Sequence, residues 1–157
     1  MPRLSREWVE FVESGVSILV GTRDEALRPE AGRGCGAAVT ALGARILVLV
    51  PELTSARTCE NAAATGRVAV TFSRPFDHRA LQAKGSVIDV RAARDADRAV
   101  VDRYVASYVD QLYLVGIPRA VSRKLRCWPA MVIELEVEAL FVQTPGIGAG
   151  RRLEEAK

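Results

Sequence analysis

The 157-residue chain has a single histidine, His78. Without a second imidazole, no multi-histidine metal site can be built, and no Ser-His-acid triad can omit that one residue. The three cysteines, Cys35, Cys59 and Cys127, form no CxxC and are odd in number. That excludes a zinc knuckle and argues against a disulfide framework. Aromatic residues are 6% of the chain, too few to interleave a basic stripe as nucleic-acid binding requires. Lysine is almost absent: of 22 basic residues, three are Lys (Lys84, Lys124, Lys157) and the rest are Arg. No GxxxxGK[ST] loop and no GxGxxG after a strand is present, so the common phosphate motifs are missing. The longest apolar run, Ile46 to Val50, is strand-sized and far short of the roughly 20 residues of a membrane helix. The charged amphipathic start does not resemble a signal peptide, and the chain is expected to be cytoplasmic.

What remains is ordinary for a globular domain. Hydrophobic residues are 49%, charged residues 26%, and the net charge is +3. Residues 1–157 are expected to form one domain, loose at 1–3 and 151–157. If the protein is an enzyme, a borrowed cofactor supplies the chemistry the side chains lack.

Leu4, Trp8, Phe11 and Val12 recur at helical spacing, with Ser5 as N-cap and Gly15 as stop. Val16 to Thr22 reads as a strand. Arg28-Pro29 to Gly36 is Gly-rich and reads as irregular, before an extended Ala37 to Ala41. Arg45 to Val50 is a strand stopped by Pro51. Thr54 or Ser55 caps a helix that Gly66 ends. Arg67 to Ser73 and Ala80 to Arg91 are strands, with Gly85 marking a bulge or a close backbone approach. Asp95 to Leu114 is helical, with Ala96, Val100, Tyr104, Tyr108 and Leu112 repeating at four. Met131 to Val142 alternates as a half-exposed strand. Several connections are too short for the crossovers a parallel sheet needs. The pattern therefore predicts a mainly β fold: a six-stranded antiparallel barrel with peripheral helices.

Three constellations could carry chemistry. Thr54-Ser55-Ala56-Arg57 opens a helix, where free N–H groups, a hydroxyl and a guanidinium suit an anion. Arg33-Gly34-Cys35-Gly36 is small enough for a flat ligand to lie against. Asp77-His78-Arg79 through Gln82 offers a proton donor, a cation and an amide. Each has a plain structural alternative: a capped helix with a solvated Arg, a flexible loop, and an exposed turn. The Pro/Gly-rich stretch around Gly146, Gly148 and Gly150 does not open a helix and reads as a surface crossing.

The order of these pieces resembles the pyridoxamine 5'-phosphate oxidase-like superfamily, the FMN-binding split barrels. The stretch L-T-S-A-R-T-C-E-N-A-A-A-T-G-R-V-A-V from Leu53 resembles the family's signature. H-R-A-L-Q-A-K-G-S-V from His78 resembles its ring-binding strand. The resemblance implies a homodimer with FMN at the subunit interface, acting as an oxidoreductase on a small molecule. Heme or a deazaflavin are the alternative cofactors, in a non-enzymatic binding protein or a deazaflavin-dependent reductase. By the same resemblance Ser55 and Arg57 would hold the phosphate, and Arg33, Gly34 and Cys35 would line the ring. Gln82 would bond the ring's polar edge, and His78 and Arg79 would face the substrate pocket. No metal is implied and no catalytic acid or base is singled out. The Ala/Val/Thr second strand and the Pro/Gly-rich C-terminus depart from the true oxidases, so the resemblance does not extend to vitamin B6 oxidation.

Overall fold

The computed structural model describes residues 1–153. Its first helix, α1 (Arg6–Val12), starts where expected: the Ser5 hydroxyl accepts from the Trp8 N–H at 3.4 Å. It buries Phe11 and Val12. Gly15 does not stop this helix, which ends at Glu13. A Cβ at Gly15 would meet the backbone of Ser107, 2.6 Å from the Tyr108 nitrogen, so the glycine is there for close packing.

Seven strands follow. They are β1 (Ser17–Arg23), β2 (Pro29–Arg33), β3 (Gly36–Thr40), β4 (Arg45–Pro51), β5 (Arg67–Ser73), β6 (Ala80–Ala92) and β7 (Ala130–Val142). They form one sheet in the order β2-β1-β5-β6-β7-β4-β3, and every neighbouring pair is antiparallel. The stretch from Arg28 to Gly36, expected to be irregular, contains β2. Its glycines serve contact rather than flexibility: a Cβ on Gly32 would lie 2.6 Å from the Thr58 hydroxyl, and one on Gly34 would enter Ile18.

Gly34 and Cys35 close the sheet on itself. The Gly34 N–H donates to Ile18 of β1 at 2.9 Å, and the next N–H, of Cys35, donates to Leu49 of β4 at 2.7 Å. β2 and β3 thus act as one bent strand passed from one edge of the sheet to the other. Counted this way, the seven strands are the six staves of the expected barrel. Alternation supplies its interior: Ile18, Val20, Val48, Val70, Phe72, Leu81 and Leu135 are fully or almost fully buried. Gly85 does sit at a register shift. Lys84 opposes Ala139 and Gly85 opposes Val137, which leaves Glu138 as the extra residue of a bulge.

Helix α2 (Ala56–Thr65) packs Thr58, Cys59, Asn61 and Ala62 inward, mainly against β1, and ends at Gly66 with φ 63°. Helix α3 (Arg98–Leu114) lies against β3. Its buried stripe is Val101, Tyr104, Tyr108 and Val109, not the simple repeat of four read from the sequence. Ala96 falls in a preceding 3-10 turn and is exposed. One turn, α4 (Arg119–Ser122), packs against α3. The chain after β7 was expected to be loose from residue 151. Instead the Val142 N–H donates to Arg151 at 2.9 Å and the Leu153 N–H to Leu140 at 2.8 Å, tying residues 151–153 to β7. Residues 154–157 lie outside the described residues. No helix among the described residues is long and apolar enough to cross a membrane.

Candidate functional site

Helix α2 starts without a side-chain cap. Ser55 occupies the N-cap position but its hydroxyl makes no capping bond. That hydroxyl is buried and has no hydrogen-bond partner. Two residues on, Arg57 is exposed and makes no hydrogen bond or ion pair among the described residues. It borders a small crevice of about 50 Å³ with Asp24, Arg28, Glu30 and Asn61. Asp24 is neutralised locally: it accepts from the Arg28 N–H at 2.9 Å and from Arg28 Nε at 2.7 Å. The Arg28 backbone bond, then its guanidinium, hold the Asp24 carboxyl below the usual range. Asn61 is fixed from beneath by its 3.4 Å bond to the Thr22 hydroxyl. The start of α2 therefore joins open N–H groups, a free guanidinium and an unsatisfied hydroxyl.

Gln82 lies in a second neighbourhood. It points outward from β6 in a row with Leu19, Thr71 and Phe141, cross-strand partners in turn on β1, β5 and β7. Its Nε2 donates to the Thr71 hydroxyl at 3.0 Å, which orients the amide. The next row along the same face is Gly21, Ala69, Lys84 and Ala139. Small residues there leave a shallow depression of about 540 Å³ whose rim includes Arg23, Arg67, Lys84 and Glu138. Leu19 stays 50% exposed beside it. Glu138 bonds Arg67 at 2.6 Å and also accepts from Ser86. The Ser86 bond first, then Arg67, lower its carboxyl pKa. The sequence reading missed Lys84, although its spacing of two from Gln82 puts both on one face of a strand.

Arg33, Gly34 and Cys35 make their contacts elsewhere. The Arg33 guanidinium bonds the Tyr108 hydroxyl of α3 and lies 5.4 Å from that ring's centre. Gly34 is buried against Ile18 and Val48, and Cys35 is buried with its thiol 3.7 Å from the Cys127 carbonyl oxygen. Arg33 is exposed but engaged by Tyr108, whereas Cys35 is sealed in the core. Arg79 stacks over Trp8 at 4.3 Å and pairs with Glu7 at 2.5 Å, so α1 holds it. His78 is exposed, with φ 60°, in a turn pinned by Arg74 and Asp77. The Arg74 guanidinium takes the Asp77 carboxyl down to about 2. The sequence-predicted residues thus divide between the start of α2, the outer face of β6, the underside of α3 and the loop before β6. The Gly146 to Gly150 turn is exposed, with open space around Gly146, Gly148 and Gly150.

With this geometry in hand, the solved structures most like it can be compared. The chain is similar to HupZ of Group A Streptococcus, with 14% identity and a TM-score of 0.58 over 94% of this chain and 99% of that one. It is similar to a Lactobacillus delbrueckii protein assigned by inference as a pyridoxamine 5'-phosphate oxidase, with 16% identity and a TM-score of 0.56 over 89% and 94%. An F420 reductase matches with 15% identity and a TM-score of 0.52 over 87% and 98%. The chain has the split-barrel fold of the pyridoxamine 5'-phosphate oxidase-like proteins. No protein-family sequence model matches it, and no curated protein matches it by sequence.

Proposed function

We propose that the chain is an FMN-binding oxidoreductase acting as a homodimer on a small molecule, with the flavin phosphate held at the start of α2. The observation that carries this reading is the uncapped α2 N-terminus beside the unpaired Arg57 and the unpartnered Ser55 hydroxyl. A buried hydroxyl with no partner costs about 1–3 kcal/mol. A phosphate oxygen at the helix start would accept its hydrogen, together with those of the open N–H groups. Arg57 would add charge-assisted bonds to the same dianion. Glu30 borders the crevice without pairing with Arg57, which leaves the guanidinium to the ligand.

Bound flavin supplies hydride or electron transfer. The chain's own work is to hold and shield it. Gln82, whose amide is oriented by its Nε2 bond to Thr71, would hold the polar edge of the ring. The flat face of Leu19, Gly21, Ala69 and Ala139 excludes water from one side of the complex. A second copy covers that face, so that residues of both subunits enclose the cofactor. The large residues of α3 divide between core and surface. Tyr104 and Tyr108 are buried within their own chain, whereas Tyr113 and Leu114 remain exposed.

Titration of wild type and Arg57→Ala with FMN and with riboflavin tests the assignment. Charge-assisted bonds of about 1.5–3 kcal/mol predict FMN binding weaker by roughly ten- to a hundredfold. Riboflavin lacks the phosphate and should bind both proteins alike. Equal FMN affinity in the two proteins would overturn the phosphate site. The absorption spectrum of the freshly purified protein separates flavin from its alternatives: heme bands or deazaflavin bands in place of flavin bands would overturn FMN as the cofactor.

A further inference from the structure

Cys35 and Cys127 are 92 residues apart in sequence, yet closure of the barrel brings them together. Cys35 sits where β2 passes into β3, and Cys127 lies in the segment that leads into β7. The Cys35 thiol donates to the Cys127 carbonyl oxygen at 3.7 Å, which sets the two cysteine residues side by side. Cys35 is 1% exposed and sealed in the core. Cys127 is 8% exposed and lines a groove of about 610 Å³ between α3 and the segment after α4. Arg98, Asp102, Val105, Arg123 and Trp128 border the same groove, and Arg98 stacks over Trp128 at 5.2 Å. One cysteine thus borders the groove while the other is sealed in the core behind it.

We propose that Cys127 and Cys35 form a peroxide-reactive dithiol, with Cys127 the attacking thiol at the groove and Cys35 the resolving thiol behind it. In the first step the Cys127 thiolate attacks one peroxide oxygen. The S–O bond forms, the O–O bond breaks, and the departing alkoxide or hydroxide takes a proton from water. The peroxide is reduced by two electrons and the sulfur becomes a sulfenic acid. In the second step the Cys35 sulfur attacks the Cys127 sulfur. The S–S bond forms, the S–O bond breaks, and the hydroxyl leaves with the Cys35 proton as water. Two thiols and one peroxide give one disulfide, one alcohol or water, and one water.

Electrostatics divides the roles in the same direction. The neighbouring Cys35 side chain, then the charge of Arg33, lower the Cys127 thiol pKa, while the Cys127 side chain and burial raise that of Cys35. Burial first, and then the neighbouring Tyr108, raise the Tyr104 phenol, and Arg98, Asp102, Asp110, Arg123 and Arg126 are the charged groups that border the groove. Cys59 is a built-in control. It is also 8% exposed, but burial first and then the charge of Glu60 push its thiol up. Accessibility alone predicts equal reactivity for Cys59 and Cys127, whereas the dithiol predicts a large difference.

The reduced full chain, treated with one equivalent of hydrogen peroxide near neutral pH and analysed by mass spectrometry, decides the matter. The expected product has lost two hydrogens, yields a linked Cys35–Cys127 peptide, and returns to the dithiol on reduction. Cys127 should react at least about tenfold faster than Cys59, as expected from its greater thiolate character. In Cys35→Ser the sulfenic acid should persist on Cys127 and be captured by dimedone. Oxidation of Cys59 at the same rate as Cys127 in the native wild-type protein would overturn the proposal. So would over-oxidation of wild-type Cys127 with no linked peptide, a result that does not depend on any variant folding.

Discussion

Replacing Gly85 with alanine tests whether the barrel's bulge is fixed by contact or by conformation. A methyl group built on Gly85 falls within 2.9 Å of the Glu136 carbonyl carbon and closer still to its oxygen. Both obstacles are backbone atoms of β7, so no side-chain rotation relieves the overlap. The local ladder must open instead. Overpacking of this kind costs about 1–3 kcal/mol, and losing a backbone hydrogen bond adds about 1 kcal/mol. The lower entropy of an unfolded alanine chain returns about 0.4–1 kcal/mol. The net expectation is a loss of about 2 kcal/mol, or a Tm lower by about 4–8 °C for a domain of this size. Gly66→Ala is the comparison. Gly66 has φ 63° and nothing within 4 Å of its built Cβ, so the left-handed backbone penalty of about 1–2 kcal/mol, less the same entropy return, is all that applies. Urea unfolding followed through Trp8 and Trp128 fluorescence measures both. If Gly85→Ala loses no more stability than Gly66→Ala, the contact argument fails.

Two further predictions concern a charge and a surface. Asp97 accepts from Arg91 at 2.7 Å and from the Arg94 N–H at 2.8 Å, and the Arg91 bond holds its carboxyl below the usual range. A depressed folded pKa means the contribution is present above about pH 4 and is lost as pH falls through the folded value. Asp97→Asn should cost about 1–2 kcal/mol near neutral pH, with the gap to wild type closing below about pH 4; a gap unchanged in acid, by urea unfolding, would refute this. For the surface, Leu19→Arg sets a charge in the flat outer face and should convert the proposed dimer to monomer in analytical ultracentrifugation. Wild type sedimenting as a monomer, or Leu19→Arg as a dimer, counts against that face.

The strands were legible because their residues alternate. Val68, Val70 and Phe72 mark the inner face of β5 without reference to any other segment, and the structure buries all three. The ends of α2 were legible for a similar local reason: Gly66 takes the left-handed conformation that stops the helix. β2 was not legible. Gly32 and Gly34 look like flexible-loop residues, but their missing side chains admit Thr58 of α2 and Ile18 of β1. A glycine that permits a turn and one that permits a close neighbour look the same in a sequence, and only the tertiary partner distinguishes them. Gly15 follows the same logic, since it meets Ser107 of α3 rather than ending α1.

The candidate site divides along the same line between local and distant causes. Ser55 and Arg57 owe their placement to helix geometry: a first turn shows its N–H groups and its second residue to solvent whatever packs behind it. The anion site proposed for them could therefore be read from the four residues Thr54 to Arg57. Gln82 and Lys84 share a face because strands alternate, again a local rule. Arg33 obeys no such rule. Its position beside Gly34 and Cys35 resembles a ligand-binding strand, yet barrel closure turns it to Tyr108, 75 residues away. Closure likewise joins Cys35 to Cys127, a pairing that sequence spacing argues against, because spacing measures distance along the chain and a barrel brings its ends together. Chemistry carried by one turn or one strand face is therefore legible here from sequence, whereas chemistry made at the closing seam becomes visible only when β2 and β3 are seen as one strand joining β1 to β4.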